Sequence, residues 1–290
     1  MEIPKKKSYR LHLLVAGLIA LVVLFIAHPT LTSDLKRILS FDRDTLIESI
    51  KREISNSGKL ISEATQRGAD LSSDGIFSFT NEERHLLGLT PFFSSVSLNQ
   101  VANRRLNDMF EEGYFEHVSP SGKSAVSEAE VVGYEYISIG ENIALGNFAG
   151  DEALVEAWMN SPGHRANIVS EKFTILGVAT RKGMFEGRET WIAVQIFARP
   201  LSDCPSVDSS LRQTIEGLNI RIKGNHQELD IRKDELDELE RNPSARDEYE
   251  RKVEEYNTLV GETNRMVQEV ENMTSRYNVG VRAFNACLEK

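Results

Sequence analysis

Hydrophobic and polar positions divide the chain into stretches of different texture. Leu11 to Ala27 is an apolar run broken only by His12, behind Lys5, Lys6, Lys7 and Arg10. At ~1.5 Å per residue such a run spans roughly 26 Å, the lower limit for crossing a bilayer. From His28 to about Ser78, Leu35, Ile38 and Leu39, then Ile47, Ile50 and Ile54, recur at helical spacing, with breakers at Ser55-Asn56-Ser57-Gly58 and Leu71-Ser72-Ser73-Asp74-Gly75. This pattern predicts a helical stalk.

The next stretch, about Phe79 to Pro200, predicts three helices followed by two strands. Thr80-Asn81-Glu82-Glu83 marks a helix start with Thr80 as cap. Leu98 to Glu112 carries the stripe Leu98, Val101, Ala102, Leu106, Met109 and Phe110, and Asp151 to Met159 carries Leu154, Val155 and Trp158. Phe173 to Thr180 and Glu189 to Ala198 read as strands. In the second, Trp191, Ala193 and Phe197 share one side and Ile192, Val194 and Ile196 the other. A strand apolar on both sides belongs to a sheet covered on both faces, hence a three-layer α/β/α sandwich.

From about Ser206 the period changes again. Leu211, Ile215, Leu218, Ile222, Leu229, Leu236 and Leu239 alternate at three and four residues, with Asn225 and Arg232 in the polar gaps. The pattern resumes after Asn242-Pro243-Ser244 at Tyr249, Val253, Tyr256 and Val260, and runs on to Phe284 and Leu288. This is a coiled-coil signal, and so short a turn predicts an antiparallel helical hairpin, with Pro243 stopping one helix and Ser244 capping the next. The domains are therefore a basic cytoplasmic tail over 1–10, a membrane anchor over 11–27, a stalk over 28–78, a sandwich over 79–200 and a hairpin over 201–290.

Composition narrows the function classes. The 290 residues are 40% hydrophobic and 27% charged, with 34 basic against 44 acidic residues for a net charge of −10. That balance argues against a nucleic-acid partner. The basic cluster ahead of the apolar run places everything after it outside the cytoplasm, as a single-pass protein or, if the run is a cleaved signal, a secreted one. The only cysteines, Cys204 and Cys287, lie on that exported side, 39 residues before and 44 residues after Pro243. The five-residue mismatch is roughly 7.5 Å of helix, which two or three extended residues around Pro205 can cover. A disulfide is expected there.

Chemistry-bearing residues gather in three groups: Tyr114-Phe115-Glu116-His117-Val118-Ser119-Pro120, Gly140-Glu141-Asn142-Ile143-Ala144, and Trp158 to Ile168 with Ser161-Pro162-Gly163-His164-Arg165-Ala166-Asn167. Two imidazoles and a carboxylate suit either a zinc-like site or an acid/base set. Ser161 beside His164 invites a nucleophile–base reading, although before Pro162 a hydroxyl is more simply a cap or turn residue. Gln195 shares a strand face with Trp191 and Phe197, as a buried polar group would.

These groups, with Asn81-x-x-Arg84, Gly88-Leu89-x-Pro91, Gly177-Val178 and Trp191-x-x-x-Gln195-x-Phe197, resemble the CAP superfamily of cysteine-rich secretory, antigen 5 and pathogenesis-related proteins, in its bacterial SCP-like branch. The resemblance covers about 120 residues and implies an α+β, three-layer CAP sandwich. It also implies a cleft of two His and two Glu that binds a divalent metal in some members. His117, Glu141 and His164 match three of those positions, with side chains expected within about 4 to 7 Å of one another. The second Glu has no clean match: Asn160 and Ser161 occupy the equivalent stretch, and the domain lacks the eukaryotic cysteines. Ser119, Asn142, Ser161, Asn167 and Gln195 are expected to support the cleft. The reading favoured is a membrane-anchored, extracytoplasmic protein binding a lipid or cell-wall ligand through the cleft and a protein partner through the helical arm. Its alternatives are a metal-assisted hydrolase acting on peptide or glycan, and a structural protein working through the arm.

Overall fold

The computed structural model describes residues 53–62 and 68–289, which form two compact units: 53–207 with 280–289, and Asp208–Val279. The basic tail, the apolar run and most of the stalk lie outside the described residues. Among the described residues, no helix is long and apolar enough to cross a membrane.

The first unit is built on a five-stranded sheet. Its elements are β1 (Glu53–Ile61), α1 (Ser73–Leu86), β2 (Phe93–Ser94), α2 (Val96–Glu112), α3 (Ala125–Val131), β3 (Tyr136–Gly146), α4 (Asp151–Met159), α5 (Pro162–Ile168), β4 (Ile175–Phe185) and β5 (Arg188–Pro200). The strand order is β1-β3-β5-β4-β2, with β5 antiparallel to both β3 and β4, and the edge strands β1 and β2 parallel to β3 and β4. Alternation along β5 sorts the core. Ile192, Val194 and Ile196 pack with Ile139 and Ile143 under Leu98, Leu106 and Met109 of α2. Ala193 and Phe197 pack on the other face with Ile76 of α1, Leu154 and Trp158 of α4 and Ile168 of α5. Three layers result.

Local chemistry sets most boundaries. Ser95 caps α2 by accepting from Leu98 N, and Gly113 closes it with φ 68°. Strand β4 runs past the expected Thr180 because Arg181–Phe185 pair with Arg188–Ile192 across a tight turn, Glu186-Gly187, both at positive φ. The first helix differs from expectation. It begins at Ser73 under a Ser72 cap, and Thr80 lies in mid-helix, fully buried, its hydroxyl donated to Ile76 O. A cap-like residue was read as a boundary when its hydroxyl is satisfied inside the helix.

The stalk expectation also fails where the structure reaches it. Residues 53–61 form a strand, not a helix or spacer, because β3 offers its open edge to their main chain. Strand β3 itself escaped the periodicity reading, since nearly every one of its residues is buried and its Ser, Glu and Asn interrupt any apolar run.

The disulfide joins Cys204 to Cys287 within this unit, with Cα atoms 5.6 Å apart. In the second unit, α6 (Ser209–Glu240) and the longer α7 (Arg246–Leu288) pair through Leu229, Leu236, Tyr256 and Val260. Asn225 donates to Thr263 Oγ1 at 3.0 Å and Lys252 reaches Glu235 at 2.8 Å, so the helices run antiparallel. The link is a 3-10 turn, Pro243–Ala245, capped by Asn242, whose carboxamide accepts from Ser244 N and Oγ. Ser244 does not cap α7.

Candidate functional site

Glu141 is the centre of the site, and it has no exposure to solvent. A carboxylate in that position must be paired. Arg105, projecting from α2 and equally buried, donates through Nε to Glu141 Oε1 at 2.9 Å. The same guanidinium donates to Tyr114 Oη at 2.7 Å and to Glu116 O at 2.9 Å. Tyr114 in turn donates to Asp108 Oδ2, and Lys123 grips Asp108 Oδ1 at 2.5 Å. Burial and the Asp108 carboxylate push the Tyr114 phenol well above its ordinary range, so it stays protonated.

His117 occupies the other carboxylate oxygen, with Nδ1 2.6 Å from Glu141 Oε2. Its Nε2 is hydrogen-bonded to the main-chain carbonyl of Ser57 on β1. An imidazole facing acceptors on both sides satisfies both only as the cation. Burial pulls its pKa down, but the Glu141 carboxylate and the carbonyls of Ser57 and Gly58 outweigh that, and the net shift is upward.

His164 is held differently. It lies on α5, and strand alternation turns Glu141 towards α2 but Asn142 towards α5. Its Nδ1 is 2.7 Å from Ser161 Oγ. Burial lowers its pKa to about 4, with the nearby His117 cation pushing the same way and hydrogen bonds to the main chain of Ile143 and Gly58 opposing. Ser161 holds the N-cap position of α5, as expected, yet its hydroxyl goes to His164 and caps no backbone N–H.

The supporting residues form a carboxamide network. Asn142 donates to His164 O at 3.2 Å and to Gln195 Oε1 at 3.1 Å, and accepts from Asn167 Nδ2 at 2.9 Å. Gln195 continues to Thr80 Oγ1 at 2.8 Å, and Asn167 accepts from Ser55 Oγ at 2.6 Å. The network ties β3, β5, α5, α1 and β1 together. Ser119 is elsewhere, bracing the 119–123 turn by accepting from Lys123 N at 2.9 Å.

This donor set does not fit a metal as it stands. Both carboxylate oxygens of Glu141 and both nitrogens of His117 are committed to protein partners. Among the described residues, no group of three or more His, Cys, Asp or Glu is placed to hold an ion. Nucleophilic chemistry fares little better. Ser161 and His164 make the required contact, but a pKa near 4 makes the imidazole a weak base at neutral pH.

Arg105 is the principal residue that sequence reasoning passed over. Its signal was present: position 105 falls within the stripe of positions 98, 101, 102, 106 and 109, so a charged side chain sat where the helix faces the core.

Comparison with known proteins places these observations. Residues 77–197 match the family described as CAP, the cysteine-rich secretory protein family. The chain is 38% identical over 116 residues to the uncharacterized protein YkwD of Bacillus subtilis (strain 168), covering 40% of this chain and 43% of that one. It is 32% identical over 150 residues to the uncharacterized membrane protein YlbC of the same organism, covering 50% and 43%. The chain thus spans less than half the length of these curated relatives. A solved extracellular protein containing a SCP domain, from Bacillus anthracis str. Ames, is 30% identical over 44% of this chain and 40% of its own, with a TM-score of 0.38. Residues 77–197 are a CAP domain, similar over that stretch to bacterial, SCP-like proteins.

Proposed function

We infer that this is a membrane-anchored, extracytoplasmic CAP-domain protein that binds a ligand at the cell surface through the Glu141–His117 site, rather than turning one over. The observation that carries the reading is the outer nitrogen of His117. Arg105 and Glu141 fix that imidazole so that it addresses a main-chain carbonyl, that of Ser57. A half-buried, charge-compensated donor aimed at a neutral acceptor is recognition geometry. The hydrolase alternative has less support, because burial lowers the His164 pKa to about 4 and leaves it a weak base for Ser161 at neutral pH.

The basic cluster and apolar run at the amino terminus support the anchor, as does the similarity to YlbC, a membrane protein by name. The Cys204–Cys287 bond suits an oxidising compartment. In the same reading, α6 and α7 form a coiled-coil arm for a protein partner.

The full chain in detergent micelles is tested by co-sedimentation with purified cell-wall sacculi and, separately, with lipid vesicles. Retention by one of them that falls at least about tenfold in Glu141→Gln, the equivalent of ~1.4 kcal/mol, supports the reading. Release of soluble wall or peptide fragments by the wild type, abolished in Ser161→Ala, overturns it in favour of catalysis.

A further inference from the structure

We propose that β1 is an exchangeable internal ligand, and that the site takes an extended polypeptide which adds to the edge of β3 in its place. The proposal rests on the binding reading of this site.

Among the described residues, strand β1 pairs with β3 alone and forms one border of the sheet. Without it, β3 would present an unpaired row of N–H and C=O groups beside Glu141, an edge of the kind that captures extended peptides. The pairing is also irregular at one place. Asn56 faces Glu141 and Lys59 faces Ile143, so Ser57 and Gly58 together oppose Asn142. That bulge carries the contacts to the site. The Ser57 carbonyl accepts from His117, Ser57 Oγ donates to Glu141 O at 3.0 Å, and a Cβ on Gly163 would come within 3.4 Å of Gly58 N. Bulges are placed features, especially rare between parallel strands.

The rest of β1 is lightly held. Ser57 is its only buried residue, Ile54 and Ile61 are 54% and 56% exposed, and among the described residues Leu60 alone of β1 packs against the core, in part. The remaining anchors are polar: Ser55 to Asn167, and two ion pairs between exposed side chains, Glu53 to Lys172 at 2.7 Å and Lys59 to Glu116 at 2.5 Å. Edge strands with few apolar contacts and solvated hydrogen bonds open at low cost. The segment also precedes residues 77–197, so it is an addition to the matched domain. The ligand it imitates is an extended peptide with a small residue in the place of Ser57, its carbonyl towards His117, and a basic residue two positions later towards Glu116.

The test uses the full chain in micelles, with a fluorescent synthetic peptide of the sequence Glu53–Ile61 as probe and a scrambled peptide as control. In the wild type, amide hydrogen exchange at Lys59–Ile61 is expected to run about a hundredfold faster than in β5, showing opening of β1 short of global unfolding. Asn56→Pro removes a main-chain donor and Leu60→Asp the single apolar anchor. Each is expected to bind the peptide about tenfold more tightly than the wild type, because the competing internal strand is weakened. If one variant does not fold, the other and the wild-type exchange still decide. Exchange of β1 at the β5 rate, or folded variants with no tighter peptide binding, overturns the proposal. Retention on sacculi or vesicles is scored on the same samples. Peptide binding without retention overturns the cell-surface reading alone, and retention without peptide binding overturns strand exchange alone.

Discussion

Replacing Arg105 with methionine tests the whole account of the site. The substitution keeps an unbranched apolar stem in α2 and removes every donor that Glu141 receives from that side. Removing one partner of a buried ion pair costs about 3–5 kcal/mol, because the other charge is left uncompensated. Tyr114 Oη and Glu116 O lose their donors too, at about 1 kcal/mol each, though losses within one network do not simply add. A destabilisation of at least about 4 kcal/mol is expected, a large part of the ~5–15 kcal/mol typical of a domain. Trp158 and Trp191, the only tryptophans, both lie in the core of the CAP unit, so their fluorescence reports that unit specifically. With m near ~2 kcal/mol/M, the urea midpoint should fall by about 2 M. Adding Glu141→Leu to Arg105→Met should recover part of the loss, since the uncompensated charge is then gone. A single-variant loss below about 1 kcal/mol, or a double variant no more stable than the single, would show that Arg105 does not hold Glu141 in place.

Other perturbations address separate features. His164 is neutral in the fold, with a pKa of about 4 against an ordinary 6.5, so the unfolded chain takes up a proton first as pH falls. Stability is therefore full above about pH 6.5 and drops by up to ~3 kcal/mol towards pH 4, a loss that His164→Asn should remove from urea titrations at each pH. His117 acts in the opposite sense: its pKa is raised, so its contribution is full below 6.5 and declines as pH rises through its folded value. Reducing the Cys204–Cys287 bond, which spans 83 residues, should cost about 4 kcal/mol in the chain-entropy picture, measured as a lower melting temperature with dithiothreitol. Gly177→Ala would drive a Cβ to 2.3 Å from Leu98 C, backbone against backbone, and should cost about 2–3 kcal/mol by forcing α2 off β4; an unchanged urea midpoint would refute that close approach.

The sequence alone determined what repeats. The alternation of Trp191, Ala193 and Phe197 against Ile192, Val194 and Ile196 required a sheet covered twice, and the two faces are filled as that pattern demands. Heptad spacing fixed the long helices, and the register of the cysteines about Pro243 foresaw which two would lie together. Periodicity is local, and each residue votes for its own face. The identity of Glu141, His117, Asn142 and Asn167 as site residues came from motif resemblance, but what they do to one another did not. Tertiary structure alone decided that Glu141 faces Arg105, that His164 pairs with Ser161, and that residues 53–61 complete the sheet. The contacts responsible join residues 36, 60 and 112 positions apart, Arg105 to Glu141, Ser57 to His117 and Ser55 to Asn167. A buried polar group must find a partner somewhere, and chain spacing says nothing of where, because only the packed layers bring the candidates within hydrogen-bond reach.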